Sequence, residues 1–269
     1  MELKTAELKA PAKVNWHLAV GRRRPDGYHP ISSIFQTCSL HDVIRVETGP
    51  GPFRADVSGL GELCEKGCST LDKAAILWHE TTGFDQALAV HVEKHIPSQA
   101  GLGGGSSDAA SLLLYLNSIS SSPMDKASLM ALGAEVGCDV PFFISEYRAA
   151  YVTGLGEIVQ EIAPRSDLRG FIIVPEGEKV STGAAYAALD GRGVIPEPEK
   201  AQELLEIYRR PVSLWSFRND FDLVNKVPEI EVEEGEKLLL TGSGSCYVLL
   251  TEREKPTLGD GIKAIRVSF

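Results

Sequence analysis

The sequence predicts an α+β fold in two domains, residues 1–165 and 166–269. Three observations carry that expectation. Apolar and polar residues alternate at 8–21, 31–47 and 88–96, the pattern of half-buried strands. A glycine-rich stretch, "AGLGGGSSDAASLLLYL", runs straight into an apolar helical segment. At 163–170 ("APRSDLRG") the composition turns polar, a new strand "FIIVP" begins, and strands and helices then alternate to the end.

The first strand, 8–21, carries "PAKVNWHLAV". Successive strand side chains point to opposite faces, so Lys13, Asn15 and His17 share one face and Val14, Trp16 and Leu18 the other. The apolar set reads as core, and periodicity alone makes the polar set a solvated surface. A turn at Pro25-Asp26-Gly27 presents Tyr28 and His29. The second strand covers 31–47. In "LAVHVEKHI", Val90, Val92, Lys94 and Ile96 lie on one face and His91, Glu93 and His95 on the other. A helix is expected from about 106 to 117, and another after "SSSP", capped by Ser122, with Pro123 in its first turn and its stop at Gly137. "RAAYVTGLGEIVQEI" reads as a hairpin with a glycine turn. Beyond the boundary, strands are expected at 171–174 and 246–251 and helices at about 181–190 and 198–208.

Composition narrows the function. The chain has 269 residues, 43% of them apolar and 24% charged, as in ordinary globular proteins. No run of about 18 apolar residues predicts a membrane span, and the first residues lack the apolar core of a signal peptide. A cytoplasmic location is expected. Five cysteines form no CxxC pair, which points to free thiols rather than a disulfide framework. The net charge of −10 argues against nucleic acid as a partner.

The glycine loop points to a bound anion. The first N–H groups of a helix have no intrahelical partner, and the macrodipole adds about half a positive charge there. Glycines let a ligand approach the backbone. Gly101, Gly103, Gly104 and Gly105, followed by Ser106 and Ser107, therefore read as a phosphate cradle rather than a flexible turn. It is not a Walker A loop, because no lysine follows the glycines, nor a dinucleotide fingerprint, because Ser106 stands where the third glycine belongs. His91 and His95 have no third ligand nearby, so zinc is not expected. Asp108, in the first turn of the helix, reads as a surface acid favoured by the dipole. Asp139 follows a helix-ending glycine and precedes "VPFF", a setting for a half-buried carboxylate or a capping one.

These stretches resemble the three motifs of the GHMP small-molecule kinases. "PAKVNWHLAVGRRRPDGYH" is similar to the first, "PSQAGLGGGSSDAA" to the second and "TGSGSC" to the third. "AKVN" with "DGYH", and "GCDVPFF", resemble the branch that phosphorylates the 2-hydroxyl of 4-diphosphocytidyl-2-C-methyl-D-erythritol. The resemblance implies a GHMP kinase two-domain fold, with an N-terminal domain like domain 2 of ribosomal protein S5 and a ferredoxin-like C-terminal domain. It implies ATP as phosphoryl donor, accompanied by Mg²⁺ through ligands left unassigned. It makes Asp139 the catalytic base and Lys13 its catalytic partner. It assigns the acceptor to Asn15, Tyr28, His29, Thr182 and Tyr186. It assigns ATP to Lys94, Pro97, Gly101, Leu102, Gly103, Gly104, Gly105, Ser106, Ser107, Gly242, Ser243 and Gly244. Two departures from the family stand out: Thr70 in "TLDKAA" occupies the usual adenine-pocket asparagine position, and the 225–240 connection is short and acidic. Another GHMP kinase, acting on mevalonate, homoserine or a sugar, is the alternative; "DGYH" favours a cytidine site. A ligand-sensing member without activity is a second alternative, disfavoured because both Lys13 and Asp139 are present.

Overall fold

The computed structural model describes residues 4–61, 64–177, 181–192 and 199–269. The chain divides into two compact units, one built from 1–12, 40–98 and 103–147, the other from 13–39, 99–102 and 148–269. Two long paired strands, β1 (Lys4–Val20) and β2 (Ile31–Gly49), run through both. No helix among the described residues is long and apolar enough to cross a membrane.

In the first unit, Val43–Gly49 of β2 pairs antiparallel with β4 (Ala87–Glu93), and β3 (Arg54–Ser58) pairs parallel with β4. The alternation seen in the sequence places Val90, Val92 and, just past the strand, Ile96 in the core, while His91 and Glu93 are exposed. Four helices follow: α1 (Thr70–Thr82), α2 (Gly104–Ile119), α3 (Lys126–Val136) and α4 (Val140–Ser145). Helix α1 packs on α2, and both α2 and α3 pack on α4. Pattern reading did not single out α1, although Ser69 and Asp72 form a capping box and Gly83 closes the helix in the left-handed conformation. Helix α3 starts later than expected. Asp125 is its cap, accepting from Ser128 N at 2.7 Å, and Ser122 and Pro123 lie in the preceding loop. It does stop at Gly137.

In the second unit, Ser33–Gln36 of β2 pairs with β5 (Ala149–Thr153), which forms the expected hairpin with β6 (Ile158–Glu161). A separate antiparallel sheet has the order β10-β7-β9-β8, built from β7 (Arg169–Pro175), β8 (Lys237–Leu240), β9 (Tyr247–Leu250) and β10 (Ile262–Ser268). The described residues of the unit also form helices α5 (Thr182–Asp190) and α6 (Ala201–Arg209) and two short 3-10 turns, Val212–Leu214 and Asp220–Leu223. Position 198, where the last expected helix begins, lies outside the described residues. Trp16 anchors this core, with ring centroids 5.4 Å from Trp215 and 4.7 Å from Phe269. The polar face of β1 is not solvated as periodicity suggested. Lys13, Asn15 and His17 are as buried as the apolar residues between them, because the chain covers both faces of the strand.

Candidate functional site

Helix α2 opens as the glycine loop implied, two residues earlier than expected. Gly103 is its N-cap in the left-handed conformation (φ 70°), which a side-chain-bearing residue adopts only at a cost. No side chain caps the helix. Ser107 N makes the first bond of the helix, to the Gly103 carbonyl at 2.9 Å, so the amides ahead of it, at Gly104, Gly105 and Ser106, form an end without a side-chain cap, the feature that accepts phosphate. Thr70 of α1 donates to the Gly105 carbonyl at 2.7 Å, so the residue at the adenine-pocket position also braces the loop. Inside the turn, Ser107 Oγ is buried without a hydrogen-bond partner among the described residues.

Asp108 overturns the expectation of a surface acid. It is buried, and its Oδ2 lies 2.8 Å from Lys94 Nζ, which also contacts Asp42 Oδ2 at 2.5 Å. Burial, reinforced by the nearby Asp42 charge, pushes the Asp108 carboxyl up to about 7 against the opposing pull of Lys94. Burial works against the Lys94 ammonium, yet the two carboxylates raise its pKa above the ordinary lysine value. The helix starts at Gly104 and has no acid in its first turn, so Asp108 lies beyond the expected dipole position and points at a lysine rather than at water. Asp42 was not singled out from the sequence. Its signal was there: Leu40, Asp42, Ile44 and Val46 share one face of β2, and Ile44 and Val46 are core. An acid on a core face needs a partner.

Asp139 is half-buried at the start of α4, followed by Pro141, and its side chain makes no capping bond. Asp139 thus stands at the N-cap position without capping the helix through its side chain. Pro97 is half-buried beyond β4.

In the second unit, the first and third motifs meet. Lys13 Nζ donates to Asn15 Oδ1 at 2.7 Å and lies 4.5 Å from the centre of the Phe35 ring. Lys13 N bonds to the Leu102 carbonyl at 3.0 Å. Asn15 is a hub: its Oδ1 also accepts from Gly242 N at 3.0 Å, its Nδ2 donates to Ser33 Oγ at 2.9 Å, and its backbone N–H donates to Thr241 Oγ1 at 3.0 Å. Gly101, at φ 74°, packs directly on the third motif. A Cβ there would lie 2.9 Å from the Thr241 carbonyl carbon, and a Cβ on Gly242 would lie 2.5 Å from Gly101 Cα. Gly101 is thus a glycine because another backbone occupies the space, a reason the motif alone did not reveal. Asn219 holds the same loop, donating to the Leu240 and Gly242 carbonyls at 3.0 and 2.8 Å. Ser243 and Gly244 are buried there as well. Behind Lys13 and Asn15, burial holds the pKa of His17 down to about 4, against the Glu199 carboxylate 3.2 Å away and with help from Arg218. His17 Nδ1 accepts from Arg218 N at 3.4 Å, which leaves the ring proton on Nε2, facing Glu199.

The expected acceptor residues all belong to this unit. His29 stacks on Tyr186 (centroids 5.2 Å apart), and Tyr186 meets Phe221 edge-on at 4.9 Å. His29 Nδ1 lies 3.0 Å from the Gly21 carbonyl and Nε2 lies 3.2 Å from Asp190 Oδ1, so both ring nitrogens are engaged. Tyr28 is 57% exposed. Thr182 Oγ1 is 3.2 Å from Ser243 Oγ, which links α5 to the third motif.

The chain is similar to known proteins along most of its length. The family model described as the GHMP kinases N terminal domain matches residues 69–147. A 4-diphosphocytidyl-2-C-methyl-D-erythritol kinase from Solidesulfovibrio magneticus is 35% identical over 93% of this chain and 90% of its own length. The Thermotoga maritima kinase of the same name is 34% identical over 93% and 94%. A crystal structure of 4-(cytidine 5'-diphospho)-2C-methyl-D-erythritol kinase matches 98% of this chain and all of its own, with TM-score 0.70 and 27% identity. The Methanococcus jannaschii mevalonate kinase, at 11% identity and TM-score 0.63, shares the fold. The chain belongs to the 4-diphosphocytidyl-2-C-methyl-D-erythritol kinase family of GHMP kinases.

Proposed function

We propose that the protein transfers the γ-phosphoryl group of ATP to the 2-hydroxyl of 4-diphosphocytidyl-2-C-methyl-D-erythritol in isoprenoid precursor synthesis. The observation that carries this reading is the uncapped first turn of α2, within a chain whose relatives of that name align along more than nine-tenths of its length. Phosphoryl transfer demands positioning and charge neutralisation more than covalent chemistry by the protein. In this reading Gly103 to Ser107 form the cradle for the ATP phosphates, through the backbone N–H groups ahead of Ser107, whose own amide donates to the Gly103 carbonyl. Gly101 and Gly242 serve the loop by close packing, together with Leu102, Ser243 and Gly244. Lys94 and Pro97 shape the entry to α2.

Asp139 is assigned the proton of the attacking hydroxyl, and Lys13 the negative charge that develops on that oxygen. Asn15 sets Lys13 through the bond between them. Tyr28 and Tyr186 are assigned to the pyrimidine ring. The engagement of both His29 ring nitrogens moves base-edge reading to the His29 backbone. Thr182 is assigned to the acceptor beside Ser243. Mg²⁺ is proposed to enter with the nucleotide phosphates, neutralising their charge. The described residues offer no group of three or more His, Cys, Asp or Glu side chains suited to holding a metal by themselves, so no protein ligand is assigned and no step runs through the ion. The division at 165/166, a cytoplasmic location and the absence of nucleic-acid or membrane partners belong to the same proposal.

The test is coupled ADP release from ATP with the cytidylyl acceptor, run against mevalonate and homoserine. Turnover confined to the cytidylyl acceptor is expected. Faster turnover with either competitor overturns the assignment.

A further inference from the structure

Strand β4 ends at Glu93, and the next three residues carry the chain away from the sheet. The last pair of the β2–β4 ladder is Val43 with Glu93, and Asp42 stands one residue beyond it. Asp42 is fully buried. Its Oδ1 accepts from His95 N at 2.6 Å and from Ile96 N at 2.8 Å, replacing the ladder bonds that these two amides have lost. Its Oδ2 takes Lys94 Nζ at 2.5 Å. One side chain therefore holds three consecutive residues of the segment that leads toward the glycine loop.

The direction in which Lys94 is held follows from two further contacts. Asp108 Oδ2, in the first turns of α2, takes the same ammonium at 2.8 Å. A Cβ on Gly104 would lie 3.3 Å from Lys94 Nζ, so the ammonium rests against the opening residue of α2. Lysine is a point charge on a flexible four-carbon stem. Left alone, it would sample many positions around this turn. Two buried carboxylates select one of them, and Asp42, bonded to the ammonium and to two amides, is stable in that role because both of its oxygens are engaged.

We propose that Asp42, reinforced by Asp108, is a positioning residue for nucleotide binding: it fixes the Lys94 ammonium against the first turn of α2, where the ATP phosphates are placed. The inference rests on the kinase reading above. Asp42 touches neither nucleotide nor acceptor and acts through Lys94. A residue that only stabilised the fold would lower the thermal midpoint and leave both Michaelis constants in their original ratio. A positioning residue changes the ATP constant alone.

The experiment uses the full chain and begins with the wild type, whose ADP release with the cytidylyl acceptor must be present; its absence strikes the kinase reading and not this one. Asp42→Asn, Lys94→Met and the double variant are then compared by KM for ATP, KM for the acceptor and thermal midpoint. Loss of a charge-assisted bond at this position is expected to raise the ATP KM about tenfold in Asp42→Asn. The acceptor KM should stay within about twofold, and the double variant should be no worse for ATP than Lys94→Met, because two residues acting through one group are not additive. An unchanged ATP KM, equal losses for both substrates, or an additive double variant overturns the proposal. If Asp42→Asn does not fold, Asp108→Asn decides. A selective rise in its ATP KM that disappears in the Lys94→Met background supports the positioning role, and any other result overturns it.

Discussion

Replacing Gly101 by alanine separates two reasons for a glycine in a phosphate loop. If Gly101 were there to let phosphate reach the backbone, an added methyl would weaken ATP binding and leave the fold intact. The structure assigns a different cause. Gly101 has φ 74°, and the Thr241 carbonyl already occupies the space a Cβ would take. The left-handed conformation costs a non-glycine residue about 1–2 kcal/mol. Forcing a carbon into a packed contact costs about 1–3 kcal/mol more, here against backbone that has no rotamer to move. Together they predict a loss of about 2–5 kcal/mol. At about 2–4 °C per kcal/mol for a chain near this size, the thermal midpoint falls by about 4–20 °C. Gly104→Ala is the control. Its Cβ would meet Ile96 Cγ2 at 3.1 Å and Lys94 Nζ at 3.3 Å, contacts that side-chain movement relieves, in a helical position where alanine is intrinsically favoured. That variant should melt within a few degrees of wild type and lose ATP affinity, because its methyl displaces Lys94. Circular dichroism melts and ATP titration of both variants make the comparison. A Gly101→Ala protein with an unchanged midpoint and weakened ATP binding refutes the packing argument.

The other predictions concern the base, the pyrimidine site and pH. Asp139→Asn removes a proton acceptor but no capping bond, so steady-state kinetics should show kcat reduced by about 10²- to 10⁴-fold with a midpoint close to wild type; near-normal turnover removes Asp139 from the mechanism. Tyr28→Ala and Tyr186→Ala should each raise the KM for the cytidylyl acceptor about tenfold, by loss of base stacking, and leave the ATP KM nearly unchanged; equal losses for both substrates make the tyrosines structural. The Asp108 carboxyl, raised to about 7 in the fold, favours the folded state below its unfolded pKa, and this contribution is lost as pH rises through 7. His17, lowered to about 4, contributes above its unfolded pKa, and that contribution is lost as pH falls through 4. The two oppose each other between about pH 4 and 7, so denaturant melts should show Asp108→Asn gaining stability relative to wild type as pH rises across this window and His17→Asn losing it; parallel curves for all three proteins contradict both assignments.

Much of the site was legible from the sequence because its signals are local. The glycine run, the strand bearing Lys13 and Asn15, and the hairpin of β5 and β6 each depend on residues within about a dozen positions. The unread parts depend on distant partners. Lys94 and Asp108 stand out in their own segments, but the carboxylate that organises them lies 52 residues before Lys94. Asn15 was assigned to the acceptor, and its four bonds reach Lys13, Ser33, Thr241 and Gly242, two of them more than 220 residues away. Helix α1 has a local capping box, Ser69 with Asp72, but "TLDKAA" also resembles a nucleotide motif, and that likeness masks the helix start. Ser122 lost the cap of α3 to Asp125, a competition between neighbouring acceptors that composition does not decide.

The way the two long strands thread the chain has a consequence for biosynthesis. Residues 13–39 leave the ribosome early, yet they belong with 148–269. Trp16 meets its ring partner Trp215 only after roughly 200 more residues are made, which at about 5–20 residues per second is a wait of about 10–40 s. Through that interval the apolar face of β1 has no native partner from the later half of the chain. The nascent protein is therefore expected to need shielding of that face, as by holding chaperones, until its later half is made. Stalled or prematurely terminated chains should be cleared as aggregates or proteolytic fragments rather than persist as half-size folded products.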